Sequence, residues 1–287
     1  MDWLFLVLAC SLIAAGANVL DKRLMSGVVH PFVCVASFAV VGLPVGLVGG
    51  LLLPAIPPTT ALLGCLGGVA FVFAAWVYYT LLAQAAVSWV SLLLRLTAVH
   101  TLIGGTVFLG DQLTARQLLA FAVLVASSVL LTLRRAATGE SRVPRAAWRM
   151  VGVTLLLAAD NLLRAYVSRT AGFWQGQVWE DWGTIAGVVG IGAWLLWRRQ
   201  PVWRTADRPT WGVLVGEQTL RFLTGLAPAW AVAAGVPVGL ISALNGLNPL
   251  WVWLLALVLL HERTDRRDGL RKGLCICATL VGVGLLL

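Results

Sequence analysis

The chain has 287 residues, 60% of them hydrophobic and only 11% charged, well under the roughly 25% charged share of an ordinary soluble domain. With a mean hydropathy of +0.90, a water-soluble fold would expose large apolar patches, so the composition points to lipid as the solvent. The net charge of +9 would suit a nucleic-acid partner, but the basic residues form short clusters between apolar runs (Arg134-Arg135, Arg198-Arg199, Arg266-Arg267). That is how a multi-spanning protein arranges its cytoplasmic loops, and it excludes nucleic acid.

A helix needs about 20 predominantly apolar residues to cross the hydrocarbon core. In chain order such runs fall at approximately 3–24, 31–53, 60–84, 88–109, 116–133, 149–169, 178–197, 211–234, 238–260 and 270–287. The expected fold is therefore all-α: a polytopic membrane protein of ten transmembrane helices. Val7-Leu8-Ala9-Cys10 loosely resembles a lipoprotein cleavage box, but Met1-Asp2 is no basic n-region, so this stretch reads as the first span. The three prolines between Pro54 and Thr60 separate the second and third spans, and Gly110-Asp111-Gln112 ends the fourth. The seventh span carries the weakest signal, because Gly, Thr and Trp dilute it. All five cysteines (Cys10, Cys34, Cys65, Cys275, Cys277) lie within apolar runs and read as small packing residues.

The order of polar residues repeats. Asn18-Val19-Leu20-Asp21 aligns with Asn161-Leu162-Leu163-Arg164, and Val90-Ser91-Leu92-Leu93 with Ile241-Ser242-Ala243-Leu244. Phe108-Leu109-Gly110-Asp111 likewise aligns with Leu259-Leu260-His261-Glu262. Two units follow, 1–135 and 149–287, joined by a basic linker at 136–148. Five spans per unit require the second unit to enter the membrane inverted. Of the 21 Lys and Arg, sixteen fall in odd-numbered loops and two, Arg116 and Arg169, in even-numbered ones. Odd loops are thus expected in the cytoplasm and both termini outside, in a plasma (inner) membrane.

Together these features resemble the EamA-type members of the drug/metabolite transporter superfamily, over nearly the whole chain. Leu109-Gly110-Asp111-Gln112-Leu113-Thr114 and Leu260-His261-Glu262-Arg263-Thr264 are similar to the family's LGE-x-L-T signature, with Asp for Glu in the first copy and His for Gly in the second. Asn18 through Lys22, and Phe173-Trp174 through Gly183, are similar to the starts of its repeat units. The resemblance implies ten helices around a central cavity and transport by alternating access without ATP. It also implies substrates among amino acids, sugars, nucleotide derivatives and lipid-linked groups. Many relatives place both termini in the cytoplasm, opposite to the charge count here.

Ionisable residues inside spans cost about 2.5–3.5 kcal/mol each on insertion scales and mark function by default. Asp160, with Asn161 beside it and Arg164 one turn on, occupies the sixth span; Glu217 and Arg221 occupy the eighth. Each acid precedes its arginine by four residues, so both share a helix face. Arg95 interrupts the fourth span, and Asn245 and Asn248 precede Pro249 in the ninth. Tyr79 and its repeat counterpart Trp230 are candidates to shape the cavity. The competing structural readings are self-neutralising helical pairs, an Arg95 that snorkels, asparagines that bridge helices and aromatics that anchor at the interface. Trp3, Trp148, Trp203 and Trp211 are assigned to that last role.

The functional reading places these residues around a midplane cavity at the repeat interface. Arg95, Arg164 and Arg221 outnumber Asp160 and Glu217 by one positive charge, so an anionic or zwitterionic substrate is expected. Proton coupling through Asp160 or Glu217 is a further candidate, although burial and a neighbouring arginine act on a carboxylate in opposite directions. A flippase for a lipid-linked phosphate or sugar is the alternative within the same fold. A membrane enzyme is the alternative outside it. His261-Glu262 begins like H-E-x-x-H, but position 265 is Asp, and His30 and His100 lack metal spacing. No nucleophile has a partnered base and there is no phosphate loop, so no enzyme activity, metal or cofactor is expected. The expected partners are a small-molecule or lipid-linked substrate and membrane lipids, with a homodimer left open.

Overall fold

The structure is a computed structural model that describes residues 2–25, 29–83, 90, 93–94, 96–136, 143–200, 208–245, 251, 274, 277–278 and 281–285. Every regular element among them is an α-helix. These are α1 (Asp2–Met25), α2 (Pro31–Leu52), α3 (Pro58–Leu82), α4 (Leu96–Phe108), α5 (Ala115–Ala136), α6 (Val143–Ala171), α7 (Phe173–Trp197), α8 (Arg208–Ala233) and α9 (Val238–Asn245). Three stretches, Pro31–Leu52, Pro58–Leu82 and Ala147–Ala171, are long and apolar enough to cross a membrane. The remainder of the ninth span, the linker residues 137–142 and the second signature copy at 260–264 lie outside the described residues, as does most of the tenth span.

Large apolar side chains face outward as well as inward, and several carboxylates are buried. Leu51, Leu62, Phe108 and Val189 are exposed on the outer surface, while Asp160, Glu180, Asp181 and Glu217 are buried within. A soluble domain hides its large apolar side chains and hydrates its carboxylates; this arrangement is compatible with a lipid surround.

Two helices begin five or six residues earlier than the hydropathy pattern predicts. α6 starts at Val143, inside the stretch read as linker, with Pro144 in its first turn, where a missing N–H breaks no bond. α7 starts at Phe173 rather than 178 because a single residue, Gly172, joins it to α6. Gly172 has φ 104°, a conformation that L side chains rarely adopt, so the chain reverses there and re-enters helix at once.

Contacts between the two halves dominate the packing. α3 lies on α6 and α7, α2 on α7 and α8, α1 on α8, and α4 on α6 and α9. The α3–α7 crossing is close enough to exclude side chains: a Cβ on Gly68 would meet the Glu180 carbonyl, and one on Gly183 the Cys65 carbonyl. Gly64/Gly68 and Gly183/Gly187 form small-xxx-small pairs, which let helix backbones approach within a membrane.

The first signature copy is used to build the fold. Asp111 accepts hydrogen bonds from Arg169 at the end of α6 (2.7 Å) and from the Val238 amide at the start of α9 (2.9 Å). Arg169 also donates to the carbonyls of Val232, in the last turn of α8, and of Val236, just beyond it. One carboxylate thereby ties three helix ends together and satisfies an orphan N–H of α9. Three residues on, Thr114 and Gln117 exchange side-chain-to-backbone hydrogen bonds (3.2 and 3.0 Å). This is a capping box at the start of α5.

Candidate functional site

A cavity of about 410 Å³ opens where α1, α2, α3, α4, α6, α7, α8 and α9 converge, a volume within the roughly 300–1,000 Å³ typical of small-ligand sites. It lies between two apolar clusters. Along α1 the order is Leu4 and Val7 in one cluster, then Cys10, Ser11 and Ala14 at the cavity. Along α8, Leu214 belongs to the other cluster, Gln218 to Pro228 line the cavity, and Ala231 and Val232 return to the first. Packed apolar side chains thus flank a polar middle.

Three helices present a stripe at i, i+3, i+4, i+7 to this space. α6 contributes Leu157, Asp160, Asn161 and Arg164; α7 contributes Gln177, Glu180, Asp181 and Thr184; α8 contributes Gln218, Arg221, Phe222 and Gly225. Phe38, Val41 and Phe71 supply an apolar wall, with the Phe38 and Phe71 rings edge to face at 4.9 Å.

Of the residues singled out in the sequence, Asp160, Asn161, Arg164, Arg221 and Asn245 line the cavity together, and Glu217 stands behind Arg221 as its ion-pair partner. Arg95 and Asn248 lie outside the described residues. Tyr79 and Trp230 are not brought to the cavity. Tyr79 is packed among Phe32, Val72 and Leu195, and Trp230 is 49% exposed on the outer side of α8. A residue on the outward face of a helix cannot reach a cavity served by its opposite face.

The self-pairing that is the competing structural reading for α6 is replaced by a bond between helices. Arg164 reaches across to Glu180 of α7 at 3.2 Å and touches Asn161 Oδ1 at 3.5 Å. Within α8, Arg221 does pair with Glu217, which also accepts from Gln218. Asp181 Oδ1 accepts from Gln177 (3.3 Å) and lies against Gly42, where a Cβ would stand 3.0 Å away. Asp160 Oδ1, Asp181 Oδ2 and Gln218 Oε1 are buried without a hydrogen-bond partner among the described residues.

Glu180 and Asp181 overturn the charge balance read from the sequence. Four carboxylates (Asp160, Glu180, Asp181 and Glu217) gather at the site against Arg164 and Arg221. Counting Arg95 as well still leaves the acids one ahead, so the basis for expecting an anionic substrate is gone. The sequence reading passed over both acids although its seventh span, 178–197, contains them, because it weighed that span only by its diluted hydropathy. The usable signal was the spacing of Gln177, Glu180, Asp181 and Thr184, a polar face on an otherwise apolar helix.

No known family's sequence profile matches the chain, and no curated protein matches it. Among solved structures, one described only as the crystal structure of a protein superposes with a TM-score of 0.73 at 15% identity, covering 99% of this chain and 96% of its own. At that identity the likeness establishes the shared fold.

Proposed function

We propose that the chain is a secondary transporter of ten membrane-spanning helices that moves a small solute by alternating access through the central cavity. The observation that carries this reading is a room of about 410 Å³ walled by helices from both halves of the chain, charged on the side of the second half and flanked by apolar clusters. Charges are expensive inside a lipid-bounded body, and they are retained where they meet a substrate or an ion.

The helix contacts support two related five-helix repeats, which an odd number of spans per repeat would invert. Advancing each helix by five maps the α3–α6 contact onto α8–α1 and α3–α7 onto α8–α2, while α2–α7 and α4–α9 map onto themselves; all of these contacts exist. Exchange of that kind is what a two-fold relation between the halves produces, with the cavity on the axis. The positive-inside bias favours odd loops in the cytoplasm and both termini outside.

The test is counterflow. Protein reconstituted into liposomes preloaded with a metabolite mixture should exchange one labelled component with the outside, without ATP. A vesicle in which no solute exchanges would remove the transport reading. Scrambling of a labelled lipid instead would reassign the same fold to a flippase.

A further inference from the structure

We propose that the cavity binds an organic cation, with its ammonium group held by Asp160 and Asp181 and its apolar body against Phe38, Phe71 and Phe222. This deepens the transport reading and rests on the same cavity.

Both arginines that line the cavity already have a carboxylate. Arg164 stands 3.2 Å from Glu180, and Arg221 pairs with Glu217. A carboxylate-bearing ligand would bring a fifth carboxylate to a site whose two arginines are each already matched by an acid. The two remaining acids are in the opposite position. Asp160 and Asp181 are 4% and 7% exposed and line the cavity, and among the described residues neither forms an ion pair. One oxygen of each, Asp160 Oδ1 and Asp181 Oδ2, has no hydrogen-bond partner there. A buried carboxylate lacking both a counter-charge and a full set of donors is what an incoming ammonium completes, through charge-assisted N–H···O bonds.

The remainder of the wall fits the same ligand class. Phe38, on α2 one turn before Gly42, places an aromatic ring beside the point where Asp181 meets that helix. Aromatic faces attract cations and also accept apolar surface. A bare divalent metal fits less well: among the described residues no three His, Cys, Asp or Glu side chains stand close enough to hold one. An organic ammonium needs fewer oxygens and brings its own apolar contacts.

The experiment uses three probes of nearly equal shape on the full-length protein in detergent: phenethylamine, 2-phenylethanol and 3-phenylpropionate. Binding is followed by calorimetry and by the thermal midpoint. The amine is expected to bind and to raise the midpoint by mass action, while the alcohol and the acid do neither. Asp160→Asn and Asp181→Asn are each expected to weaken amine binding by about tenfold or more, the scale of a lost charge-assisted hydrogen bond. The wild-type charge series needs no variant to fold. Equal binding of the alcohol or acid, no binding of the amine, or wild-type affinity in monodisperse Asn variants would each overturn the proposal. Amine binding without counterflow would leave the site standing and remove transport; counterflow of an anion without amine binding would do the reverse.

Discussion

Gly183 and Gly190 lie two turns apart on α7, and replacing each by alanine separates helix crossing from helix propensity. A Cβ at Gly183 would run into the Cys65 backbone, whereas one at Gly190 meets nothing within 4 Å. Alanine improves a helix interior by about 0.5–1 kcal/mol at either site, so that contribution cancels in the comparison. What remains is overpacking, which costs about 1–3 kcal/mol. The obstructing atoms are main-chain and cannot rotate away, which places Gly183→Ala near the upper end, about 2–3 kcal/mol. At roughly 2–4 °C per kcal/mol, its thermal midpoint should fall about 4–12 °C below that of Gly190→Ala. Size-exclusion profiles after graded heating in detergent measure this directly. Amine binding should weaken in the same variant, because Glu180 and Asp181 sit on the turn before Gly183 and move with it. Coincident midpoints would mean that α3 and α7 do not meet backbone to backbone, and the placement of both acids would fall with that contact.

Asp111→Ala leaves Arg169 with carbonyls alone and uncaps α9, for an expected loss of about 3 kcal/mol, the low end for a broken buried pair because Arg169 keeps some exposure; an unchanged unfolding transition would contradict that role. Arg164→Gln should destabilise more than Glu180→Gln, since the first leaves Glu180 unpaired among two further buried acids and the second removes one acid from that group; reversed midpoints would show that the acids are not crowded together. In a variant retaining Cys10 as the sole cysteine, a cationic methanethiosulfonate should label the cavity wall faster than an anionic one, and phenethylamine should slow it; equal rates would speak against a negative cavity. Trp230→Leu should leave amine affinity within about twofold, the usual range for an outward-facing substitution, and a large loss would show that the ring reaches the site after all.

Much of this site was visible in the sequence as chemistry out of place. Asp160, Asn161, Arg164 and Arg221 stand in runs that are otherwise apolar, and all four line the cavity. Tyr79 and Trp230 were chosen by repeat position, and repeat position says nothing about which face of a helix turns inward. Glu180 and Asp181 lay inside the seventh span but in the one with the weakest hydropathy, because an inward polar face lowers the mean of the very helix that bears it.

The sequence alone determined that the chain is helical and carries apolar runs compatible with a lipid surround. Apolar runs of spanning length permit little besides helix, because a backbone in lipid must satisfy its own hydrogen bonds. Only the tertiary structure decided which charges answer one another. Arg164 reaches Glu180 rather than Asp160 because glycines at the α3–α7 crossing bring α7 inward, beside α6, and the Gly172 turn starts α7 early enough to present its acids there. Pairing depends on distance across helices, and spacing along one helix does not encode it.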